Sequence, residues 1–268
     1  MTIFIFVELG LRLCANKPPE WEVLAALHQC LISRFRVPVR GAGMDWVFED
    51  LDLRDRTRVF KDRKDAGMQL ADSLVTYNGS GALVFAIPAG GIPVAAEVCR
   101  VLSLALDVIV VRKIQFPDNP EAGFGAAGPD GSVVLNDYLM EVERMSPGVV
   151  DEQSRKAMQS VEWREQLFRN GGSYPVMKDR TVILIDDGLA SGFTMLAAIK
   201  FVRSRGARKV VVAVPTGSGR AVELVHERAD EVHCLNVRSQ PFFAVADAYK
   251  YWYDLTDEEA LSILRGNM

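Results

Sequence analysis

Histidine is scarce, three residues in 268, and cysteine hardly commoner at four. The cysteines (Cys14, Cys30, Cys99, Cys234) stand far apart and form no C-x-x-C pair, which excludes the usual zinc spacing and a disulfide framework. A reducing cytoplasm is the expected compartment. His28, His226 and His233 lack the spacing of a metal set or a catalytic triad. Long apolar runs are missing too: the stretch from Ile3 to Val7 closes at Glu8, whereas a membrane-spanning helix needs about 20 predominantly apolar residues. No basic residues precede that stretch as they would in a secretory leader. Positive charge is not in excess, with 31 Lys and Arg against 35 Asp and Glu and a net charge of −4. A broad basic field is therefore excluded, and with it duplex nucleic acid or an anionic membrane as expected partners. There is no tandem repeat, no low-complexity tract, no Gly-Lys-Ser/Thr phosphate loop and no G-x-S-x-G elbow.

What is present has the balance of an ordinary globular protein, 49% apolar and 25% charged. Residues 1–43 read as a loosely packed N-terminal extension, broken by Pro18-Pro19 and joined through Gly41-Ala42-Gly43 to a domain spanning 44–268. Asp62 precedes a helical pattern with Ala66, Leu70, Ala71, Leu74 and Val75 on one face. Short β-branched runs follow at 82–87, 107–112, 181–186, 209–214 and 231–236, with helical stretches at 93–104, 194–206 and 218–228 between them. Continuous apolar strands alternating with helices predict an α/β fold, a mostly parallel sheet flanked by helices on both faces. Two stretches depart from this rhythm. Residues 114–136, rich in Pro and Gly, predict a mobile flap or hairpin, and residues 151–170 a helical excursion with an apolar stripe of Ala157, Val161, Leu167 and Phe168.

In an open parallel sheet, ligands bind beyond the carboxyl ends of the strands, so chemistry is expected just after the apolar runs. The strongest junction is VILIDDGLASGFTM, residues 182–195. Small residues lead to Ser191, Gly192, Phe193 and Thr194 at a helix start, where freed amides and hydroxyls can cradle a monophosphate. Asp186 and Asp187 cannot share that cradle without repulsion, so they should face a neutral polyol or a metal ion. The second junction, AIPAGGIPVAAE at 86–97, offers a Gly90-Gly91 turn that is either a second anion concavity or a plain structural turn. The third places Arg112 and Lys113 beside a strand end, suited to a diphosphate or simply solvated. The GFGAAG at 123–128 matches a dinucleotide fingerprint in letters only, because no strand precedes it and no helix follows.

These residues resemble the type I phosphoribosyltransferases, in a branch whose substrate is unassigned. VILIDDGLASGFTM is similar to that family's phosphoribosyl-diphosphate signature. The order of FKDRKDAGMQLADSL, AIPAGGIPVAAE, VVRK and a Gly/Pro-rich flap follows the family over residues 48–255. The resemblance implies that Asp186 and Asp187 contact the ribose hydroxyls, in part through Mg2+. It further implies that the Ala190–Thr194 loop binds the 5-phosphate, with Gly188 and Leu189 also among the substrate-binding residues. Ala89, Gly90 and Gly91 would bind the diphosphate, while Arg112 and Lys113 serve the leaving group or the closing flap. The implied reaction is displacement of diphosphate at the anomeric carbon by a nitrogen acceptor, a nucleobase-like heterocycle or another small nitrogen compound. Three departures stand out: Ala190 where hypoxanthine- and guanine-using members carry aspartate, Ala89 where a basic residue is usual, and Gly188 in place of an aliphatic. Ala89 keeps an alternative open, a non-catalytic regulator that binds phosphoribosyl diphosphate or a nucleotide. Glu121 is a candidate proton-transfer group, and the aromatics of residues 237–255 form a small C-terminal hood that could stack a flat ring or pack on the sheet. The acceptor and a homo-oligomeric state are not fixed by the sequence.

Overall fold

The structure, a computed structural model, describes residues 47–266, with the side chains of Pro120 and Glu121 outside that description. The expected extension over 1–43 therefore lies outside the described residues, as does the expected domain boundary at 44.

Six parallel strands form the central sheet: β1 (Val47–Phe48), β2 (Leu83–Ala86), β3 (Ala105–Val108), β7 (Thr181–Ile185), β8 (Lys209–Ser218) and β9 (Glu231–Arg238), in the spatial order β1-β9-β8-β7-β2-β3. Every residue of β2 is buried, as are the central residues of β7 and β8, which is why these strands read as unbroken apolar runs. Apolar clusters cover both faces. One contains Leu70 of α1 (Arg63–Ser73), Ile92 and Val94 of α2 (Gly91–Leu102), Val161 of α4 (Pro147–Arg169) and Leu264 of α7 (Asp257–Arg265). The other contains Met195 and Phe201 of α5 (Phe193–Ser204) and Val222 of α6 (Gly219–His226). The expected α/β architecture is the one observed. Among the described residues no helix is long and apolar enough to cross a membrane.

The expected strand over 107–112 divides. β3 ends at Val108, and Arg112 opens β4 (Arg112–Phe116) of a second, antiparallel sheet with β5 (Asn119–Ala127) and β6 (Val133–Leu135). Ile109, Val110 and Val111 between them stay buried, so the apolar run outlasts the strand because the passage between the two sheets is itself core. The flap is thus a three-stranded sheet. A Cβ on Gly125 would stand 2.5 Å from the Val134 carbonyl oxygen, so this glycine lets strand backbones close together. A short helix, α3 (Asp137–Val142), capped by the Asn136 side chain, leads from the flap toward α4. Helix α7 was not expected from the sequence, although Thr256 and Glu259 form a capping box at its start.

Helices α1 and α2 meet where α1 has Gly67: a Cβ there would lie 2.6 Å from the Val94 carbonyl oxygen and 2.9 Å from Glu97 Cβ. Backbone leaves no room to yield. Gly67→Ala should destabilise the fold by about 1–3 kcal/mol by overpacking, despite alanine's better helix propensity. Urea unfolding followed by circular dichroism checks this; a stabilised variant would mean the helices are not in this contact.

Candidate active site at the switch point of the sheet

Strand β2 and its helix lead to β3 on one side, whereas β7 and its helix lead to β8 on the other, so chain direction diverges between β2 and β7. Loops leaving these two strands must part to opposite faces, and the crevice they leave is where open α/β sheets bind ligands. Here the loops also touch. The Ile87 amide donates to the Ile185 carbonyl at 2.8 Å, and a Cβ on Gly91 would fall 2.6 Å from that oxygen and 3.0 Å from Asp186 Cα. A Cβ on Gly90 would overlap the Asp187 carboxylate, its Cγ lying 2.6 Å away. The Gly90-Gly91 turn is therefore glycine because the acid pair occupies the space a side chain would need. The peptide between Pro88 and Ala89 is cis.

Asp187 is held from three sides. Arg63, the first residue of α1 after its Asp62 cap, donates from Nε to Asp187 Oδ2 at 2.9 Å. The same guanidinium donates from Nη1 to the Tyr253 carbonyl at 2.9 Å and lies 3.9 Å over the Trp252 ring. The Tyr249 hydroxyl donates to the Asp187 carbonyl at 2.6 Å, and the Asp187 amide donates to Asp186 Oδ1 at 2.8 Å. Burial raises the pKa of both carboxyls; for Asp186 the charge of Asp187 adds to the rise, whereas for Asp187 the Arg63 guanidinium opposes it. The two acids are unequal: Asp187 is paired with Arg63, whereas burial and the neighbouring Asp187 charge disfavour the ionised form of Asp186. Arg63 escaped the sequence reading, though it lies within the quoted FKDRKDAGMQLADSL segment directly after a helix cap.

The loop after the acids is fastened to β8. Leu189 donates to the Thr216 carbonyl and accepts from the Ser218 amide, both at 2.9 Å, while Ser218 Oγ donates to the Ala190 carbonyl at 2.9 Å. Gly192 caps α5 with φ 84°, a left-handed conformation that favours glycine. Ala190 and Ser191 are exposed, with Phe193 and Thr194 half-buried. Gly188 has a packing reason as well, since a Cβ there would sit 2.6 Å from Val245 Cγ1 and 3.1 Å from Thr216 Cγ2. The hood residue Val245 fills the volume that an aliphatic at 188 would take.

Arg112 and Lys113 part company. Adjacent residues of a strand point to opposite faces. Arg112 is half-buried, and burial together with the Arg164 charge lowers its pKa, while Asp257 opposes the change. Lys113 is exposed, its stem running across Gly123 of the neighbouring strand. Arg112, within range of the Arg164 and Asp257 charges, and the exposed Lys113 thus stand on opposite faces of β4. Arg164 of α4 also reaches that loop, with Nη1 3.4 Å from the Pro88 carbonyl oxygen. It was missed as well, yet a charge in line with Ala157, Val161 and Phe168 on an apolar helix face is a readable signal. The Glu121 side chain lies outside the described residues. Of the hood aromatics, Tyr249 and Trp252 are engaged by Asp187 and Arg63, whereas Phe242 and Tyr251 are exposed.

Because burial raises the Asp186 pKa, its ionised form costs stability at high pH, and that cost fades as pH falls through the folded-state pKa. Asp186→Asn keeps the oxygen that accepts from the Asp187 amide and removes the charge. The ligand-free variant should melt higher than the parent at pH 8, by about 2–4 °C for each kcal/mol relieved, with the gain shrinking toward pH 5. Melting curves at both pH values decide it; a variant less stable at pH 8 would show that the Asp186 charge is already compensated.

Comparison with known proteins agrees with this geometry. The family model described as a phosphoribosyl transferase domain matches residues 59–252. A Mycobacterium tuberculosis protein provisionally named a phosphoribosyl transferase is 40% identical over 207 residues, 77% of this chain and 46% of its own length. The chain thus spans about half the length of that relative. An adenine phosphoribosyltransferase of Marinobacter nauticus is 30% identical over 171 residues, 63% of this chain and 74% of that protein. Among solved structures, the TT1426 protein of Thermus thermophilus is 38% identical with a TM-score of 0.63, covering 78% of this chain and 98% of that one. With that family model matching most of its length, the chain belongs to the phosphoribosyl transferase domain family.

Proposed function

We propose that this chain transfers the 5-phosphoribosyl group from phosphoribosyl diphosphate to a small nitrogen acceptor and releases diphosphate. The observation that carries the reading is the contact of the Gly90-Gly91 turn with Asp186 and Asp187 at the switch point, with the Ala190–Thr194 loop opening the next helix. One crevice then offers amides for two anions on either side of a carboxylate pair, the layout a pentose bearing a phosphate at one end and a diphosphate at the other requires. Gly188, Leu189 and residues 190–194 would take the 5-phosphate, Asp186 and Asp187 the ribose hydroxyls, and Ala89 with Gly90 and Gly91 the diphosphate. Arg112 would face the leaving group, and Lys113 the outer side of the flap. In the reaction the acceptor nitrogen's lone pair forms the new bond to the anomeric carbon as the bond to diphosphate oxygen breaks. The diphosphate leaves with that electron pair, and the acceptor's proton goes to solvent or a nearby base. Little covalent help is asked of the protein: its task is to pin both ends and neutralise the departing charge.

Two carboxylates, one of them paired to Arg63, suit a Mg2+ ion that completes its shell with substrate oxygens and water rather than in an all-protein cage. Bound there, it supplies charge neutralisation on the diphosphate. Among the described residues no group of three or more His, Cys, Asp or Glu side chains is placed to hold a metal. Ala190 leaves the space beside it free of an acid, so the acceptor is read as nucleobase-like without need of a carboxylate at that point. Free, buried Cys99 and Cys234 support a reducing, cytoplasmic setting. A second reading, a non-catalytic regulator binding the same sugar diphosphate, is favoured by the missing cation at Ala89.

Purified protein incubated with phosphoribosyl diphosphate, Mg2+ and a nucleobase panel should release diphosphate with at least one acceptor, and the sugar diphosphate alone should raise the melting temperature. A thermal shift without turnover on any acceptor would turn the assignment to the regulator. Neither shift nor turnover would overturn both.

A further inference from the structure

We propose that Arg164 is a positioning residue for the diphosphate end of the substrate: from the inserted helix α4 it holds the loop 88–91 and supplies beside it the positive charge that Ala89 lacks. The inference rests on the phosphoribosyl-diphosphate reading above. Helix α4 interrupts the strand–helix alternation, and among its buried residues Arg164, whose side chain is 8% exposed, is the one that carries a charge. A buried guanidinium is costly unless it is paired and its donors are used. Both conditions are met by elements of the site. Arg164 Nε donates to Asp257 Oδ2 at 2.9 Å and Nη2 donates to Asp257 Oδ1, a two-pronged pair with the first residue of α7. The remaining nitrogen, Nη1, points to the Pro88 carbonyl at 3.4 Å. The Phe168 ring, centred 5.5 Å from the guanidinium carbon, packs alongside.

Arg164 thus joins three parts that are distant in sequence: the inserted helix, the C-terminal helix and the loop read as the diphosphate cradle. The charged groups meeting there are Arg112 from β4, Arg164 from α4 and Asp257 from α7; burial lowers the Arg112 pKa, the Arg164 charge adds to that, and Asp257 opposes it. On the Pro88 side of the loop two guanidiniums meet one carboxylate, while the Asp186–Asp187 pair abuts its Gly90-Gly91 side. A lysine could provide the charge but not the planar fork that occupies Asp257 and Pro88 together. Ala89 itself is half-buried and packed against the core, so the loop cannot easily carry a long basic side chain of its own. The cation is brought from outside instead.

Calorimetric titration of the full chain, in Mg2+, with inorganic diphosphate and separately with ribose 5-phosphate tests this. Diphosphate engages the loop, and ribose 5-phosphate serves as the internal control for the other end of the crevice. Arg164→Met should weaken diphosphate binding by tenfold or more and ribose 5-phosphate binding by less than twofold; in turnover, the KM for phosphoribosyl diphosphate should rise more than kcat falls. Arg164→Lys should restore only part of the diphosphate affinity. The double variant R164M/D257N removes the orphaned carboxylate and should regain melting temperature without regaining diphosphate affinity. Equal losses for both ligands, or undiminished diphosphate binding in R164M or in the double variant, would overturn the proposal. A parent protein that binds ribose 5-phosphate but not diphosphate would overturn it too and leave the sugar-phosphate site standing. Failure of the parent to bind either ligand would sink the phosphoribosyl reading itself.

Discussion

The arrangement of the site depends on a steric and electrostatic contact at the Asp187 carboxylate. One of its oxygens is hydrogen-bonded to Arg63 and occupies the space of a Cβ on Gly90, so the acid joins the first helix to the Gly90-Gly91 turn. Parallel strands pairing Ala86 with Ile185 deliver the two loops to the same level of the sheet, and the glycines then permit approach within contact distance. Without a partner, two adjacent acids in a buried crevice would repel and draw protons. With Arg63 in place, one is paired and the other is pushed toward its neutral form by burial and by its neighbour, an asymmetry that adjacent identical letters in a sequence do not express.

Around this contact, the irregular parts of the chain have a shared purpose. The hood touches the acid pair through the Tyr249 hydroxyl and through Trp252, which lies on Arg63, while Val245 fills the space over Gly188. The inserted helix and the C-terminal helix meet at Arg164 and Asp257, beside the other loop. The hood and the inserted helix therefore each end on a residue of the switch point. A parallel sheet supplies a crevice for little more than its topology; the additions set what stands in it.

The regular part was legible because burial on both faces writes itself as apolar runs, and the helices between them as periodic stripes. The strands at 83–86, 181–185, 209–218 and 231–238 fall where those runs stand. The run around 107–112 misled for a physical reason: Ile109 to Val111 are core without being strand, so hydrophobicity marked burial and not pairing. The loop residues Gly90, Gly91, Asp186 and Asp187 were legible from their position at strand ends, and the structure brings them into contact. Arg63 and Arg164 were not found, because their partners lie 124 and 93 residues away and only folding reveals the pairing. Gly188 looked like a defect in the signature and is instead one half of a pair whose other half, Val245, lies in the hood.

The aromatics of residues 237–255 show how the same composition divides between structure and recognition. In sequence, six rings in a short segment invite stacking on a flat acceptor. In the structure Tyr249 is buried with its hydroxyl spent on the Asp187 carbonyl, and Trp252 spends its face on Arg63. A ring already stacked on a guanidinium has one face left, and a buried phenol has none to spare. The hood's contribution near the acids is thus to hold them, through a carbonyl, a hydroxyl and a cation–π contact.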